Sequence, residues 1–344
     1  MKTPKALLAL TLLAAFASPC PAQEVVSTIA FTSTRDNPSG TVFTAGEIYV
    51  IDVLADGTYA PARRLTENVY SDLFPAYSPD GKGKIVFQSN RRRTAGEPMN
   101  VSDLFLMNHE GQEQTFLTRG GSPAWAPPGP RGAASKTFAF HASASGIEGP
   151  ALVTPGSATV DSDIFVVNLD DLLENGAQPV NITNHPNVDD DPDWSDDGQK
   201  IVFTSHRADD KDAAALSTEI YTINPDGSDR QQITFNTEEE RAPAWSPDGT
   251  QILFMCRRGD FEICVMNADG TGVTQLTDNT RGDFTPTWSP DGEKILFHRA
   301  LGPDFGNQLF VMNSNGTAQT QLTTGPGNNL LATWAVVAVG RGKK

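Results

Sequence analysis

The chain has 344 residues, of which 42 are acidic and 26 are basic, and its formal charge at pH 7 is −16. This charge argues against nucleic acid or an anionic membrane surface as the main partner, because both favour Lys and Arg. Cations, basic protein patches or neutral ligands fit better. The length allows two or three ordinary domains or one large domain of repeats, and a hydrophobic fraction of 38% is enough for a sizeable core.

The first 22 residues have the pattern of a secretory signal peptide. Lys2 and Lys5 precede an apolar run over 6–17, and small residues follow, with cleavage expected near Ala17 or Ala22. Twelve apolar residues are too few to span a bilayer, and no other stretch is long enough. We therefore expect no transmembrane segment, a periplasmic or extracellular location, and a mature chain with 24 basic and 42 acidic side chains, a charge of −18. Cys20 suggests a lipid anchor as an alternative. We favour this alternative less, because the Leu expected three positions before a lipidated Cys is absent.

An aromatic residue followed by a turn motif recurs through the rest of the chain. These anchors are Tyr77 (YSPDG), Trp125 (WAPPG), Trp194 (WSDDG), Trp245 and Trp288 (both WSPDG), and Trp334. All five Trp residues of the chain occupy this one repeat position, at spacings of 48, 69, 51, 43 and 46 residues. Such periods are typical of four-stranded propeller blades.

Three further strand patterns follow each anchor in chain order. In the second unit they are a β-type run ending at Phe87, an alternating run ending at Asn108, and a final Leu117-Thr118 pair. Alternation with period two, broken by turn residues, predicts antiparallel strands. The Ser-Pro-Asp-Gly motif predicts a tight turn. The segment 170–175 (DDLLEN) is the one place where we expect a helical turn.

The anchor strand is absent from the first unit, whereas an extra anchor, Trp334, occurs near the end of the chain. The sequence therefore predicts an all-β fold, a six-bladed β-propeller of four-stranded antiparallel blades, whose ring is closed by the C-terminal strand completing the first blade. We expect one domain over 23–344. The expected blades are 29–68 plus 330–338, 72–118, 121–183, 189–234, 240–277 and 283–323.

The combined pattern WSPDG, IxFxS, IYVMNxDG and LT resembles that of the TolB-like family of secreted and periplasmic, WD-repeat-like β-propellers. The resemblance covers essentially the whole mature chain. It implies the propeller fold and a protein-binding or scaffolding role in the cell envelope or secreted space. TolB proteins carry an additional α/β domain before the propeller; the repeats here begin soon after the leader, so we expect the propeller alone.

Four carboxylates occupy one repeat position, five residues before the anchors. They are Asp72, Asp189, Glu240 and Asp283, with Gly120 and Asn329 in the remaining two units. The loop entering the inner strand of a propeller blade reaches the mouth of the channel, so we expect an acidic ring there. Because like charges repel, such a ring holds protons tightly or attracts a cation.

Three interpretations of this ring stay open. It could be a site for Ca²⁺ or another hard cation, a mouth for a basic peptide or loop of an envelope or secreted protein, or a set of solvated loop acids. Asp189 and Asp191, in the densest run of acids, are the candidate metal ligands. Ca²⁺ is the one cofactor that the pattern suggests.

Catalytic motifs are absent from the sequence: there is no Gly-x-Ser-x-Gly, no His-Glu-x-x-His and no glycine-rich phosphate loop. His141 and His298 occupy one repeat position three blades apart, too far for one site. We therefore expect a monomeric, non-catalytic binding module. The alternative is a metal-dependent polysaccharide lyase or hydrolase that uses the acidic channel mouth.

Two further features carry expectations. The insertion over 143–162 in the third blade predicts either a surface loop or a determinant of partner specificity. Cys256 and Cys264 flank a predicted hairpin, so they form either a cross-strand disulfide or two small buried thiols.

Overall fold

The computed structural model describes residues 24–37, 45–80, 82–94, 102–128, 135–143, 162–185, 188–206, 218–303 and 305–336. The expected signal peptide over 1–22, with its cleavage sites and Cys20, lies outside the described residues, as does most of the insertion over 143–162. Within the described ranges, no helix is long and apolar enough to cross a membrane.

Six four-stranded antiparallel sheets form the six blades, as the sequence predicts. The inner strand of each blade contains the aromatic anchor. These strands are β4 (Asp72–Tyr77), β8 (Gly121–Trp125), β12 (Asp189–Trp194), β16 (Glu240–Trp245), β20 (Asp283–Trp288) and β24 (Asn329–Val336). The second strands are β5 (Ile85–Ser89), β9 (Thr137–Ala142), β13 (Ile201–Ser205), β17 (Gln251–Arg258), β21 (Lys294–Ala300) and β1 (Val25–Ser33).

The third and outer strands complete each blade. The third strands are β6 (Asp103–Met107), β10 (Asp163–Asn168), β14 (Glu219–Ile223), β18 (Asp260–Asn267), β22 (Asn307–Asn313) and β2 (Glu47–Leu54). The outer strands are β7 (Thr115–Arg119), β11 (Val180–Asn181), β15 (Gln231–Gln232), β19 (Thr274–Gln275), β23 (Thr320–Gln321) and β3 (Arg63–Arg64). A short helix, α1 (Leu169–Asn175), lies where the sequence predicts a helical turn, and the side chain of Asn168 caps its first N–H groups.

Blade one is assembled from both ends of the described chain. Its strand order is β24-β1-β2-β3, and Ile29 lies opposite Trp334 in the antiparallel register. The C-terminal strand therefore completes the first blade and closes the ring, as the sequence predicts. Closure pairs strand edges that an open array would leave exposed.

The hydrophobic core lies between neighbouring blades. Phe87 of blade two, fully buried, packs in one cluster with Ile85 and Met107 of its own blade and with Ile48 and Val50 of blade one. Equivalent phenylalanines are fully buried in the second strands of the other blades. Each blade therefore buries its faces against the blades beside it.

The Leu/Ile-Thr pair, which we expected inside the outer strand, directly follows that strand in five blades. Its Thr hydroxyl accepts a hydrogen bond from a third-strand N–H: Thr66 Oγ1 from Ile48 and Thr234 Oγ1 from Ile220, both at 2.9 Å. The side chain thus continues the ladder where the outer strand stops. Leu65 beside Thr66 packs into the core between blades one and two.

The two faces of the ring differ. Tight turns such as Ser246–Gly249, in which Gly249 has φ +70° and donates to the Ser246 carbonyl, form the turn face. The opposite, loop face carries the loops that enter the inner strands and those between second and third strands. In blade five this loop is Gly259 alone, between β17 and β18.

Candidate functional site

A bulge in every inner strand shapes the central channel. In each blade the register with the second strand shifts near one residue in the left-handed region, with φ between 43° and 53°. These residues are Phe74, Ser122, Asp191, Ala242, Thr285 and Leu331. Such a conformation is costly for a non-glycine residue, and bulges re-aim the side chains beside them. All six bulge residues line the channel.

The channel encloses a cavity of about 500 Å³. Its wall runs from the six bulge residues to the anchors and the first residues of the turn face. The charged side chains among its described lining residues are Asp191, Asp193 and Asp196, all from blade four. The lining is therefore electrostatically one-sided: carboxylates project from one blade, and the corresponding positions in other blades are apolar or hydroxylated.

Burial raises the pKa of the carboxyl groups of Asp191 and Asp193 to about 7. For Asp191 the repulsion by Asp190 adds to the effect, while hydrogen bonding from Ser122 Oγ, 3.3 Å from Asp191 Oδ1, opposes it. Asp193 Oδ2 accepts the Trp245 backbone N–H at 2.8 Å, across the boundary to blade five. Near neutral pH these groups exchange protons readily, so a cation entering the channel would compete with a proton.

The four carboxylates predicted to form the acidic ring begin their inner strands at equivalent positions, as the spacing requires. They are nevertheless almost completely buried, between 0% and 1% exposed, which does not fit solvated loop acids. They are not among the described residues that line the cavity. Their neighbours lie within the blades instead.

Arginine side chains bind two of these carboxylates. Arg91 Nη2 lies 2.9 Å and 3.0 Å from the two oxygens of Asp72, and Arg299 contacts both oxygens of Asp283 at 2.6 Å and 2.7 Å. Asn68 Nδ2 also donates to Asp72 at 2.8 Å. These contacts tie the start of the inner strand to the end of the second strand and to the loop from the preceding blade.

Uncharged groups donate to Asp189 and Glu240, and Arg258 Nη2 also lies 4.0 Å from Glu240 Oε1. Ser205 Oγ donates to Asp189 Oδ1 at 2.6 Å, and Asn236 Nδ2 donates to Glu240 Oε1 at 2.8 Å. Asn329 takes the position in blade one and accepts from Ser33 Oγ at 2.8 Å. The predicted ring thus serves as a belt of polar contacts that joins the blades, and its role in ligand binding stays a prediction.

The two predicted metal ligands have separate surroundings. Asp189 contacts Ser205 inside blade four, whereas Asp191 lines the channel and contacts Ser122 of blade three. In the part of the chain that the structure describes, no three His, Cys, Asp or Glu side chains are placed to hold a metal ion. Calcium binding by these residues stays a prediction.

Asp193 is a channel residue that the sequence analysis missed, because it was counted within the acidic run beside Trp194. The sequence does contain a signal for it, since the residue before the anchor is an acid only in this blade and is Ala or Thr in the other five. His206 and Asp190 were also missed as a pair, with His206 Nε2 at 3.7 Å from Asp190 Oδ2. Only the fold brings His206, after the second strand of blade four, beside the start of its inner strand.

Cys256 and Cys264 are joined by a disulfide in blade five, with a Cα–Cα distance of 5.9 Å. They are diagonal rather than directly opposite, since Cys256 faces Glu262 and Cys264 faces Phe254 in the register. Both are buried between blades four and five. The bond therefore tethers the second strand to the third at the loop-face side of the blade.

These features define a six-bladed β-propeller with an acidic, one-sided channel. The sequence profile of the TolB beta propeller domain matches residues 133–338, more than half of the chain, and the chain therefore belongs to the TolB β-propeller family.

Solved TolB structures share the fold. The chain matches TolB from Acinetobacter baumannii with a TM-score of 0.67 and 20% identity, over 90% of this chain and 66% of that one. It matches TolB from Agrobacterium tumefaciens with a TM-score of 0.60 and 18% identity, over 92% of this chain and 100% of that one.

A curated relative matches a shorter stretch. Dipeptidyl-peptidase 5 of Porphyromonas gingivalis is 43% identical over 65 residues, which are 19% of this chain and 9% of that protein. The matched part is thus a small fraction of the peptidase, and the similarity is confined to about one or two repeats.

Proposed function

We propose that this protein is an exported, non-catalytic binding module of the cell envelope or secreted space, which takes a basic segment of a partner protein into its channel. The observation that carries this proposal is the charge of the channel wall: Asp191, Asp193 and Asp196 are its charged described residues, and all are acidic. A cleft lined by one sign of charge focuses the electrostatic field and attracts ions of the opposite sign.

The surroundings of these carboxylates favour a cation that reaches into the channel. Asp191 and Asp193 are half-buried, and their pKa values of about 7 reflect chiefly the cost of ionising a carboxyl group that is removed from water. A bound ammonium or guanidinium group would offset that cost. Binding should therefore strengthen between pH 6 and pH 8 as the carboxyl groups ionise.

Export rests on the predicted leader over 1–22, and the family resemblance supports an envelope role. The alternative is a metal-dependent polysaccharide lyase or hydrolase. These two functions differ in what they require of the channel: a binding module needs the acids for affinity, whereas the enzyme needs them for turnover.

The test is affinity capture from envelope extract with the mature chain, comparing Asp191→Asn/Asp193→Asn with Glu174→Gln/Glu293→Gln. The control pair removes two exposed carboxylates on the turn face, outside the channel. We expect the channel variant to recover the partner about ten-fold less and the control variant to recover it normally. Salt should weaken capture by the unsubstituted chain.

Equal recovery by both variants would exclude the channel as the binding site. The same preparations are assayed on panels of glycans and peptides. Turnover that requires an added metal and is lost in the channel variant would instead establish the enzyme.

A further inference from the structure

A second cavity adjoins the channel on the turn face, between blades three and four, and we call it the side groove. It encloses about 490 Å³. Its described lining comes from the turn between β8 and β9 on one side and from the turns after β12 and β14 on the other. Pro127, Pro128, Trp194 and Asp196 line both the groove and the channel. The two cavities therefore meet at these side chains, and a chain lying in the groove would be led to the channel.

The channel itself extends towards the turn face. Its described lining begins with the six bulge residues and continues past the anchors to the prolines of the turns. None of the described residues on the loop-face side of the bulges lines it. There Leu73 and Leu330 are buried, and Phe284 stacks on His298 with ring centroids 5.2 Å apart. The described part of the cavity thus leads to the turn face.

Both walls of the side groove depart from the turn motif of the other blades. In Ser-Pro-Asp-Gly the Ser hydroxyl donates to the Asp carboxylate, as Ser246 Oγ does to Asp248 Oδ1 at 2.6 Å. Blade three has Ala126 and Pro128 at the Ser and Asp positions, so this hydrogen bond cannot form and the wall is uncharged. Blade four has Asp196 where the four other blades with this turn have Pro. An uncharged wall thus faces an acidic one.

The charged side chains among the described lining residues of the groove are Asp196 and Asp197, and both are exposed. Hydrogen bonds from the Gln199 N–H and from Ser195 Oγ lower the pKa of Asp197. Burial, with repulsion by Asp197, raises the pKa of Asp196. A cation that approaches along the groove therefore meets a lasting negative charge first and the titrating acids of the channel afterwards.

We propose that the partner's basic segment enters the channel from the turn face, lying extended in the side groove before its cationic side chains reach Asp193 and Asp191. These two acids, Asp196 and Asp197 follow one another along β12 and the turn after it, so one edge of an extended chain can face all four. The prolines of blade three offer an apolar wall to the stems of Lys and Arg side chains. This inference rests on the proposed function, because it gives the route and the spacing of the basic segment.

The spacing of the acids favours cations at alternate positions of the segment. Asp191 and Asp193 both line the channel and lie two residues apart in β12. Alternate side chains of an extended chain project to one side about 6–7 Å apart. A segment with Lys or Arg at every second position would therefore present its charges at the repeat of the channel acids.

A bulky group on each face tests the direction of entry. Ser135 lines the groove, and Glu238 is exposed in the loop-face segment before β16. Each is replaced in a separate variant, Ser135→Cys or Glu238→Cys, and labelled with a polyethylene glycol maleimide. The other Cys side chains of the described ranges are joined in a disulfide and do not react.

The probe is the peptide acetyl-Lys-Ala-Lys-Ala-Lys-amide, with its affinity measured by calorimetry at pH 8 and low salt, and the urea midpoint checks the folding of each labelled protein. We expect the label at position 135 to weaken binding at least about ten-fold and the label at position 238 to leave it unchanged. The reverse pattern, or no effect of either label, would overturn the proposal.

A matched pair of substitutions tests the groove acid. Asp197 and Asp248 occupy one turn position in blades four and five, and each accepts from its Ser hydroxyl, at 2.7 Å and 2.6 Å, and from a backbone N–H at 3.0 Å. Of the two, Asp197 lines the groove. Asp197→Asn should weaken peptide binding about two- to five-fold, the range of an exposed charge pair, and Asp248→Asn should not. Equal effects would indicate general attraction to an acidic face and contradict the route.

A second peptide of the same composition tests the spacing. We expect acetyl-Lys-Ala-Lys-Ala-Lys-amide to bind at least about three-fold more tightly than acetyl-Lys-Lys-Lys-Ala-Ala-amide. Equal affinities would contradict alternate cations, because the two peptides carry the same charge.

The results also separate this inference from the proposed function. If partner capture requires Asp193 but is indifferent to Asp197→Asn and to the label at position 135, the function stands and the route is wrong. If the peptide binds through Asp197 while no partner depends on Asp191 and Asp193, the groove stands and the proposed function is wrong.

Discussion

Arg299 holds the carboxylate of Asp283 at two points, Nε to Oδ1 at 2.6 Å and Nη2 to Oδ2 at 2.7 Å. Its guanidinium also lies over the rings of Phe297 and Phe310, 5.4 Å and 4.8 Å from their centroids. This arrangement joins the start of an inner strand to its second strand and covers the aromatic core at that end of the blade. Stacking and bidentate pairing together are properties of arginine that lysine lacks.

Replacing Arg299 with Met should destabilise the protein by about 3–5 kcal/mol, because it leaves a buried carboxylate without its counter-charge. Urea denaturation measures the effect. The matched control is Arg63→Met, which removes an exposed ion pair with Glu110 at 3.8 Å and should change stability by less than about 0.5 kcal/mol. Equal effects of the two substitutions would contradict a structural role for the Arg299 pair.

Deleting residues 329–344 should lower the unfolding temperature sharply, since it removes β24. This strand pairs with β1 from Ser27 to Ser33, and its Trp334 Nε1 donates to Ser27 Oγ at 2.9 Å. Without it, blade one loses its inner strand and the ring opens. Thermal unfolding followed by circular dichroism checks this, with deletion of 337–344, which spares β24, as the control. Unchanged unfolding after the longer deletion would exclude ring closure as a source of stability.

The fold could be predicted from the sequence because its signals are local and repeated. An aromatic anchor in each unit, a strand ending in Phe after it and the surplus anchor Trp334 together determine the strand count, the blade boundaries and the closure. Each signal is independent of which side chains meet across the ring. Because the pattern occurs six times, it is recognisable even though the third unit is irregular.

The site could not be predicted to the same extent, because a bulge interrupts the alternation that the sequence suggests. Counting back from Trp288 leads correctly to Asp283, but Thr285 is in the left-handed conformation between them. The extra residue changes which side chains face the channel, so Asp283 is buried against Arg299 and Thr287 lines the cavity. Nothing in a period-two pattern marks that residue.

Asp193→Asn should flatten the pH dependence of stability between pH 4 and pH 7. The folded carboxyl group of Asp193, with a pKa of about 7 against an ordinary value of 3.8, binds a proton that the unfolded chain releases in this range. The free energy of unfolding therefore falls as the pH rises, by at most about 1.4 kcal/mol per pH unit from one group. Asn keeps an acceptor for the Trp245 N–H and removes the titration.

Urea midpoints at half-unit pH intervals measure this slope. The control is Glu293→Gln, which replaces an exposed carboxylate on the turn face, outside the channel. A slope that is identical in the unsubstituted protein and in Asp193→Asn would show that Asp193 titrates normally in the folded state.

His298 should have the opposite effect in the acidic range. Its ring is buried, stacks on Phe284 with centroids 5.2 Å apart and is hydrogen-bonded to Thr285 Oγ1 at 2.8 Å, and burial lowers its pKa to about 3. The unfolded chain binds a proton below pH 6.5 that the folded protein does not, so stability falls as the pH decreases from 6.5 towards 3.

His298→Gln should reduce this loss of stability at low pH, measured by urea midpoints from pH 7 to pH 4. The exposed His109→Gln is the control and should leave it unchanged. Because Asp193 and His298 act in opposite directions over the same range, the double variant should show whether their contributions add, as expected for groups in separate blades.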